Sequence, residues 1–309
     1  MSDFSRHLAD YLNLRRTLGH ELSHARRLLP RFVAFLEETE TQTITVEAAL
    51  RWVQLPTAGP SSSVWMHRMM AVRGFARYMS GIDPATEIPP LGIVTYRQHW
   101  RPPFIYSAGD VETLMAAVPG ITQPPLRAVT FQTMIGLLAA TGMRVGEAIA
   151  LQRTHVNLVE GVLQVRNSKF NKSRELPLHP TTVDALAVYA QIRDRCVPRP
   201  KSPTFFISSR GTPVIYGDFG EKFRELLAVT GVGTGSPVRP RIHDLRHSFA
   251  VHTLIRWYRD GADVGAMLPR LSTYLGHLAP SYTYWYLSAA PELLTLAAAR
   301  LEKAKGVGR

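Results

Sequence analysis

Apolar residues recur at helical spacing through most of the first eighty positions. Between residues 4 and 38 the stripe Leu22, Ala25, Leu29, Phe32, Val33 and Leu36 predicts one or two helices, with Gly19 as the break. Thr45 is placed to cap a second segment through Val46, Ala49, Leu50 and Val53, which Pro56 stops. A third stripe, Trp65, Met69, Val72, Ala76 and Met79, predicts a helix over residues 63–79 ended by Gly81. The pattern then breaks. Pro84, Pro89, Pro90, Pro102 and Pro103 crowd residues 83–103, and prolines at that density resist continuous helix or sheet. The expected organisation is a helical N-terminal domain over 1–83, a proline-rich linker over 84–103, a larger domain over 104–290 and a tail over 291–309.

The larger domain opens at Ser107-Ala-Gly-Asp110, a helix start, and the apolar run 130–140 leads into Ala140-Thr-Gly-Met-Arg144-Val-Gly-Glu147. The period then changes. Residues 158–165 and 175–178 alternate like short strands about a polar hairpin tip, 167–174, that presents Lys169 and Lys172. Helical patterning returns over 181–195 and 218–229, separated by a loop-rich stretch around the apolar Phe205-Phe-Ile207. After a flexible crossing at 231–240, Arg241-Ile-His243-Asp-Leu-Arg246-His247 enters a long helix through Trp257. A connection at 261–269 then delivers the chain to Leu275-Gly-His277. The tail, with Leu293, Leu294, Leu296 and Leu301, reads as an amphipathic helix able to pack on its own domain or dock in a neighbouring subunit. The expected class is mainly α with a small β-sheet, α+β.

Composition narrows the partners. At 309 residues the chain has room for about two domains, and 45% apolar content is enough to bury a core in each. Lysine and arginine total 36 against 24 acidic residues, a formal charge of +12 that suits a polyanion. The positive charges are spread along the chain rather than gathered beside an apolar anchor, so nucleic acid is the expected partner and a membrane is not. The charge-free stretch between Arg127 and Arg144 is too short and too polar for a membrane span. One cysteine, Cys196, excludes an intramolecular disulfide and a cysteine-based zinc site, and the first residues lack an apolar secretory segment. A cytoplasmic protein is expected.

The candidate chemistry lies in side chains suited to phosphate. Arg73 and Arg77 stand one turn apart on the third helix, where charge and reach suffice for backbone phosphates. Glu147 follows Arg144 by three residues and can steady it across one turn, and His243 precedes Arg246 by the same interval. Around the Leu-Gly-His turn stand four tyrosines, Tyr274, Tyr282, Tyr284 and Tyr286. A phenol can attack phosphate and hold the product as a phosphodiester. By itself such a cluster serves equally to pack a terminal helix; the arginines and histidines upstream supply the partners a nucleophile needs.

Taken in order, Ala-Thr-Gly-Met-Arg-Val-Gly-Glu, a lysine hairpin, His-Asp-Leu-Arg-His, Leu-Gly-His and then tyrosine, the chain resembles the tyrosine recombinase or phage integrase family over essentially its whole length. The resemblance implies a SAM-like, DNA-binding core-binding domain in front of a catalytic domain. It implies that Arg144 and Arg246 grip the scissile phosphate, and that Lys169 protonates the leaving 5′-oxygen, with Lys172 as a nearby rival. It further implies that His243 assists proton removal or donates to the phosphate, and that His277 adds a donor, while His247 packs or caps. Lys169-Phe-Asn-Lys172-Ser-Arg174 departs from the usual family wording in its second and fifth residues. The family's interval from the Leu-Gly-His histidine reaches Tyr286, with Tyr284 as the alternative, and Lys172 and Arg174 join Arg73 and Arg77 as expected DNA contacts. The segment between Arg246 and His277 is longer than in the simplest members. The resemblance narrows the nucleic acid to double-stranded DNA, and the implied activity is site-specific recombination through a 3′-phosphotyrosyl intermediate, without cofactor or metal, by a tetramer on DNA or a hetero-assembly with related recombinases. The wording of residues 11–19 and 272–277 is similar to recombinases of transposable elements. Two other classes stay open: relaxation of DNA in the manner of a type IB topoisomerase, and DNA binding without catalysis.

Overall fold

The computed structural model describes residues 3–20, 22–55, 63–94, 102–168, 172–279, 281–288 and 291–306. The chain divides into two compact units, Met1–Trp100 and Arg101–Arg309.

The first unit is built from α1 (Asp3–Thr17), α2 (Ser23–Glu38), α3 (Val46–Val53) and α4 (Ser63–Met79). Their apolar stripes meet in one core, with Leu29, Phe32, Leu36, Ala49, Val53, Val72, Phe75 and Ala76 fully buried. Thr45 caps α3 as expected, its hydroxyl accepting from the Ala48 amide at 3.1 Å. The other end of α3 is closed by a tertiary contact. Buried Arg68 of α4 donates to the carbonyls of Trp52, Val53 and Leu55 at 3.1–3.3 Å, and its guanidinium lies 5.2 Å from the Trp52 ring centroid. Carbonyls left over at a helix C-terminus attract a cation, and here the cation is reached from a neighbouring helix.

Part of the proline-rich stretch belongs to this unit. The Asp83 carboxylate accepts from the Thr43 and Thr86 hydroxyls, the Glu87 amide donates to the Ile44 carbonyl at 2.8 Å, and Ile93 and Val94 pack against the helical core. Arg73 donates to the Pro89 carbonyl, whereas Arg77 is exposed.

The second unit runs α5 (Ala108–Ile121), α6 (Pro125–Thr141), α7 (Val145–Ala150), β1 (Val156–Asn157), β2 (Val162–Ser168), β3 (Lys172–Pro177), α8 (Pro180–Cys196), α9 (Tyr216–Thr230), α10 (Asp244–Arg259), α11 (Val264–Leu275), α12 (Ser281–Tyr284) and α13 (Pro291–Gly306). The class is therefore mainly helical with a small antiparallel sheet, in the order β1-β2-β3. Ser107 and Asp110 close a reciprocal capping box at the start of α5. Residues 158–161, expected to be strand, form a turn instead, because the Asn157 side chain accepts from the Val159 and Glu160 amides and turns the chain back into β2. In the β2–β3 ladder Leu163 faces Leu176 and Val165 faces Arg174, so the pleat puts Arg174 on the same side as buried Leu176.

Two apolar clusters fill this unit. The larger gathers α5, α6, α8, α9 and the sheet around Phe205, Phe206 and Tyr189; the smaller joins α10, α11, Tyr286 and Leu293 of α13. α10 serves both, with Leu245 in the first and Ala250, Val251, Leu254 and Ile255 in the second. α13 packs on its own unit: Leu293 is buried, and Glu292 pairs with Arg259 at 2.6 Å, while Leu294 is exposed. The connection expected over 261–269 is shorter than its wording, because Asp263 caps α11 at the Ala266 amide and the helix runs on through Pro269. Among the described residues no helix is long and apolar enough to cross a membrane.

Replacing Arg68 by Met keeps the aliphatic stem but removes the cation's bonds to three carbonyls at the end of α3. Urea unfolding of the full chain, followed by tryptophan fluorescence, is expected to show a loss of about 2 kcal/mol; an unchanged midpoint would remove the closing role.

Candidate active site

Two helix ends prepare the site. α6 and α11 both finish on left-handed glycines, Gly142 at φ 61° and Gly276 at φ 70°. A Cβ on Gly142 would lie 2.5 Å from the Phe249 ring, and one on Gly276 would lie 2.8 Å from the Arg174 guanidinium, so neither place accepts a larger residue without movement. Their backbone oxygens serve the arginines. Arg246, 3% exposed on α10, donates to the Gly142 carbonyl at 2.8 Å and the Leu275 carbonyl at 2.6 Å, while Arg144 donates to the Gly276 carbonyl at 2.8 Å. Each cation thus meets the negative end of a helix dipole.

Glu147 binds the group together. Its carboxylate accepts from the Arg144 amide at 2.9 Å and the Arg144 guanidinium at 2.7 Å, and it takes two bonds from Arg174 at 3.1 and 2.8 Å. Arg174 also donates to the Tyr274 carbonyl at 2.7 Å. Arg174, expected among the DNA contacts, is therefore turned inward and committed to Glu147. Its place opposite Val165, two residues before Leu176, was the signal for this. Burial pushes the Glu147 carboxyl up, but the hydrogen bonds and charge of Arg174, followed by Arg144, hold it below the usual carboxylate range. Arg144 and Arg174 thus share one carboxylate, and Arg246 is close enough to feel its charge. Burial and then the charge of Arg144 pull Arg246 down to about 10, which still leaves it charged at neutral pH.

Around them lies a cavity of about 360 Å³ whose walls include Arg144, His243, Arg246, His247, His277 and Tyr286. His277 follows Gly276, shares a 2.8 Å bond between Nδ1 and the buried Thr283 hydroxyl, and lies nearly parallel to the Tyr286 ring at 6.3 Å. Tyr286 is 1% exposed and stacks on Trp285 at 4.3 Å. Its hydroxyl is 3.0 Å from His247 Nδ1. By contrast Tyr282 and Tyr284 are 57% and 49% exposed, and of these Tyr282 lines the cavity mouth. His247, read from sequence as a packing or capping residue, is instead the partner of Tyr286. The i,i+4 spacing from His243 was enough to place both on one face of α10, and their rings meet edge to face at 4.9 Å. Lys169 lies outside the described residues, and Lys172 begins β3. Among the described residues no group of three or more histidine, cysteine or acidic side chains is placed to hold a metal ion.

Burial and the field of the site act together on the histidines and on Tyr286. Burial first, and then the charge of the arginines and neighbouring histidines, pull His243 down to about 4, His247 to about 3 and His277 to about 4. Burial pushes the Tyr286 phenol up to about 12 against the opposing pull of Arg246. All three histidines are neutral at pH 7.

Unfolded, these histidines take up protons near 6.5. The unfolded chain then binds more protons than the folded one, so stability falls as the pH drops from about 6.5 towards 4. The depressed Glu147 acts the same way at lower pH: its contribution is complete above the ordinary carboxylate range and is lost as the pH falls through its folded value. Thermal unfolding across this range is expected to show both losses. Glu147→Gln is expected to cost about 3 kcal/mol at pH 7, a deficit that narrows once the wild-type carboxylate is itself protonated; a constant deficit at all pH values would count against the charge argument.

The sequence profile of the phage integrase family matches residues 107–292. The integrase/recombinase y4rB of Sinorhizobium fredii (strain NBRC 101917 / NGR234) is 40% identical over 309 residues, with 98% of each chain covered. The tyrosine recombinase XerC of Roseiflexus sp. (strain RS-1) is 27% identical over 290 residues, covering 92% of this chain and 87% of its own. In fold, the Tn1549 transposon integrase bound to circular intermediate DNA superposes with a TM-score of 0.64 at 17% identity, over 96% of this chain and 99% of that one. With a family match over more than half its length and a 40% identical relative along nearly all of it, the chain belongs to the phage integrase family, the tyrosine recombinases.

Proposed function

We propose that this DNA strand breaking and rejoining enzyme is a site-specific recombinase that works through a 3′-phosphotyrosyl link to Tyr286. The observation that carries the assignment is the charge at the cavity: Arg144 and Arg246 line it beside a buried tyrosine, with Arg174 and the Glu147 carboxylate behind them. Such a pocket suits an anion of the size and charge of a phosphodiester. Guanidinium forks offer paired, permanently charged donors to non-bridging oxygens, and Arg144 and Arg246 are already held in place by carbonyls, so little reorganisation accompanies the build-up of charge on phosphorus. His277, with Nδ1 engaged by Thr283, presents its other ring nitrogen as a further donor. His243 stands against the same oxygens, and Lys169 protonates the leaving 5′-oxygen.

In this reading Tyr286 attacks in line and the P–O5′ bond breaks. The 5′-hydroxyl of a partner strand later attacks the phosphotyrosine. Each phosphodiester is exchanged for another of similar energy, so no nucleotide hydrolysis is needed. Two sites are brought together by a tetramer on DNA or by assembly with related recombinases. The lasting result is integration, excision or transposition of a mobile element, a role supported by the likeness to y4rB and by the transposon integrase fold. Arg73, Arg77 and Lys172 supply sequence-independent contacts to flanking phosphates.

Covalent trapping tests the assignment. Suicide duplexes nicked near the cleavage point, taken from DNA flanking the protein's own gene, are incubated with the enzyme and resolved on a denaturing gel. A slow-migrating adduct is expected, absent with Tyr286→Phe and formed about 10²- to 10³-fold more slowly with Arg144→Ala or Arg246→Ala. An adduct persisting in Tyr286→Phe would move the nucleophile to Tyr284 or Tyr282, and no adduct on any flanking DNA would overturn the catalytic reading.

A further inference from the structure

We propose that His247, rather than His243 or His277, takes the phenol proton of Tyr286 during cleavage and returns it during rejoining. The inference rests on the reading of Tyr286 as the nucleophile and names the proton acceptor which that reading leaves unassigned.

Geometry selects His247. Its Nδ1 stands 3.0 Å from the Tyr286 hydroxyl. His277 Nδ1 is engaged by Thr283, and its ring lies alongside Tyr286 at 6.3 Å without a hydrogen bond to the phenol among the described contacts. His243 packs edge to face on His247, on the side of Arg144 and Arg246. The His247 ring is wedged between His243 and Trp285, whose centroids are 4.9 and 5.1 Å away, so it cannot swing freely from the phenol.

The tautomer follows from the surroundings. The groups facing this pair are His243, Arg246 and Arg241 at the start of α10, Arg144 at the start of α7, and His277 after α11. Arg246 lowers the phenol by its charge but has no site to take a proton, whereas neutral His247 offers an acceptor at Nδ1 when its Nε2 carries the hydrogen. A phenol raised to about 12 is ionised to only about one part in 10⁵ at pH 7, so attack on phosphorus needs this transfer. Burial first, and then the positive field, hold His247 neutral in the free protein, and the second of these is what a phosphodiester offsets. Once that anion is clamped by Arg144 and Arg246, the proton affinity of His247 rises where the base is required.

The step balances. The Tyr286 proton passes to His247 Nδ1 as the phenolate oxygen bonds phosphorus, and the P–O5′ bond breaks with its electron pair leaving on the 5′-oxygen, which Lys169 protonates. In rejoining, the 5′-hydroxyl returns its proton to Lys169 as its oxygen bonds phosphorus, the P–O bond to Tyr286 breaks with its electron pair on the phenolate oxygen, and the His247 imidazolium restores the phenol.

The test uses His247→Asn, whose side-chain amide occupies the place of Nδ1 but takes no proton, with thermal unfolding measured alongside. On the suicide duplex, cleavage at pH 7 is expected to fall about 10²-fold. The pH profile, which a packing role would leave parallel to wild type, is expected to change: wild type levels off above the titration of His247, whereas the variant climbs about tenfold per pH unit because hydroxide replaces the base. A duplex with sulfur in place of the 5′-bridging oxygen needs no proton on its leaving group; it is expected to rescue Lys169→Ala and not His247→Asn. Nitrogen-15 spectra of the free protein give a reading that needs no DNA: an unprotonated His247 Nδ1 whose shift moves in Tyr286→Phe. A variant with the wild-type rate and profile, rescue by the sulfur duplex, or a protonated Nδ1 would each overturn the inference while leaving Tyr286 as nucleophile. Absence of any adduct with wild type would instead overturn the parent reading and this inference with it.

Discussion

Three arginines held close together repel one another, and much of the second unit is arranged to bear that repulsion. Glu147 neutralises one charge. The rest is carried by backbone oxygens: Gly142 and Leu275 under Arg246, Gly276 under Arg144, Tyr274 under Arg174. These oxygens are free because they lie at helix ends, where no amide follows to claim them. The requirement for glycine in Thr-Gly-Met-Arg and Leu-Gly-His is thus a requirement about arginines. A left-handed residue turns the chain sharply enough to leave its carbonyls aimed at a guanidinium, and the space beside it is already occupied by Phe249 or Arg174.

The same preorganisation explains why the site tolerates so much burial. A cation with donors satisfied by fixed dipoles loses less on leaving water than one that is merely enclosed. Glu147 is shared by Arg144 and Arg174, and the remaining positive field falls on the histidines and on Tyr286. Desolvation and like charge keep His243, His247 and His277 neutral. The phenol is caught between burial, which raises it, and Arg246, which lowers it, and burial wins. Burial therefore keeps the phenol protonated at neutral pH, and its ionisation needs a base beside it.

α10 ties these features to the fold. Its first turn carries Arg246 and His247, while its later turns are buried among α11, α13 and Tyr286, so the residues that meet phosphate share a rigid element with the residues that hold the tyrosine. The buried Asp244 fastens the start of that helix through two bonds to the Arg241 guanidinium.

Local pattern was sufficient for much of this chain. Apolar spacing outlined α2, α3 and α4, the Ser107 and Thr45 caps were readable as side-chain acceptors ahead of apolar stripes, and the ordered motifs named Arg144, Glu147, His243, Arg246, His277 and Tyr286, all of which the fold draws together. These features depend on neighbours a few residues away, or on wording that survives without coordinates. The rest depends on packing. Pro269 reads as a stop, yet Asp263 starts the helix early enough for it to continue. Arg174 reads as a basic residue on a polar hairpin, yet the register that pairs Val165 with it turns it onto Glu147. His247 reads as filler beside Arg246, and only the return of the chain through Leu-Gly-His, thirty-nine residues on, sets a phenol against its Nδ1. Sequence by itself determined which chemical groups the protein owns and where its helices begin; tertiary structure decided which groups share a proton or a charge, because those couplings act over a few ångströms of space and not over intervals of the chain.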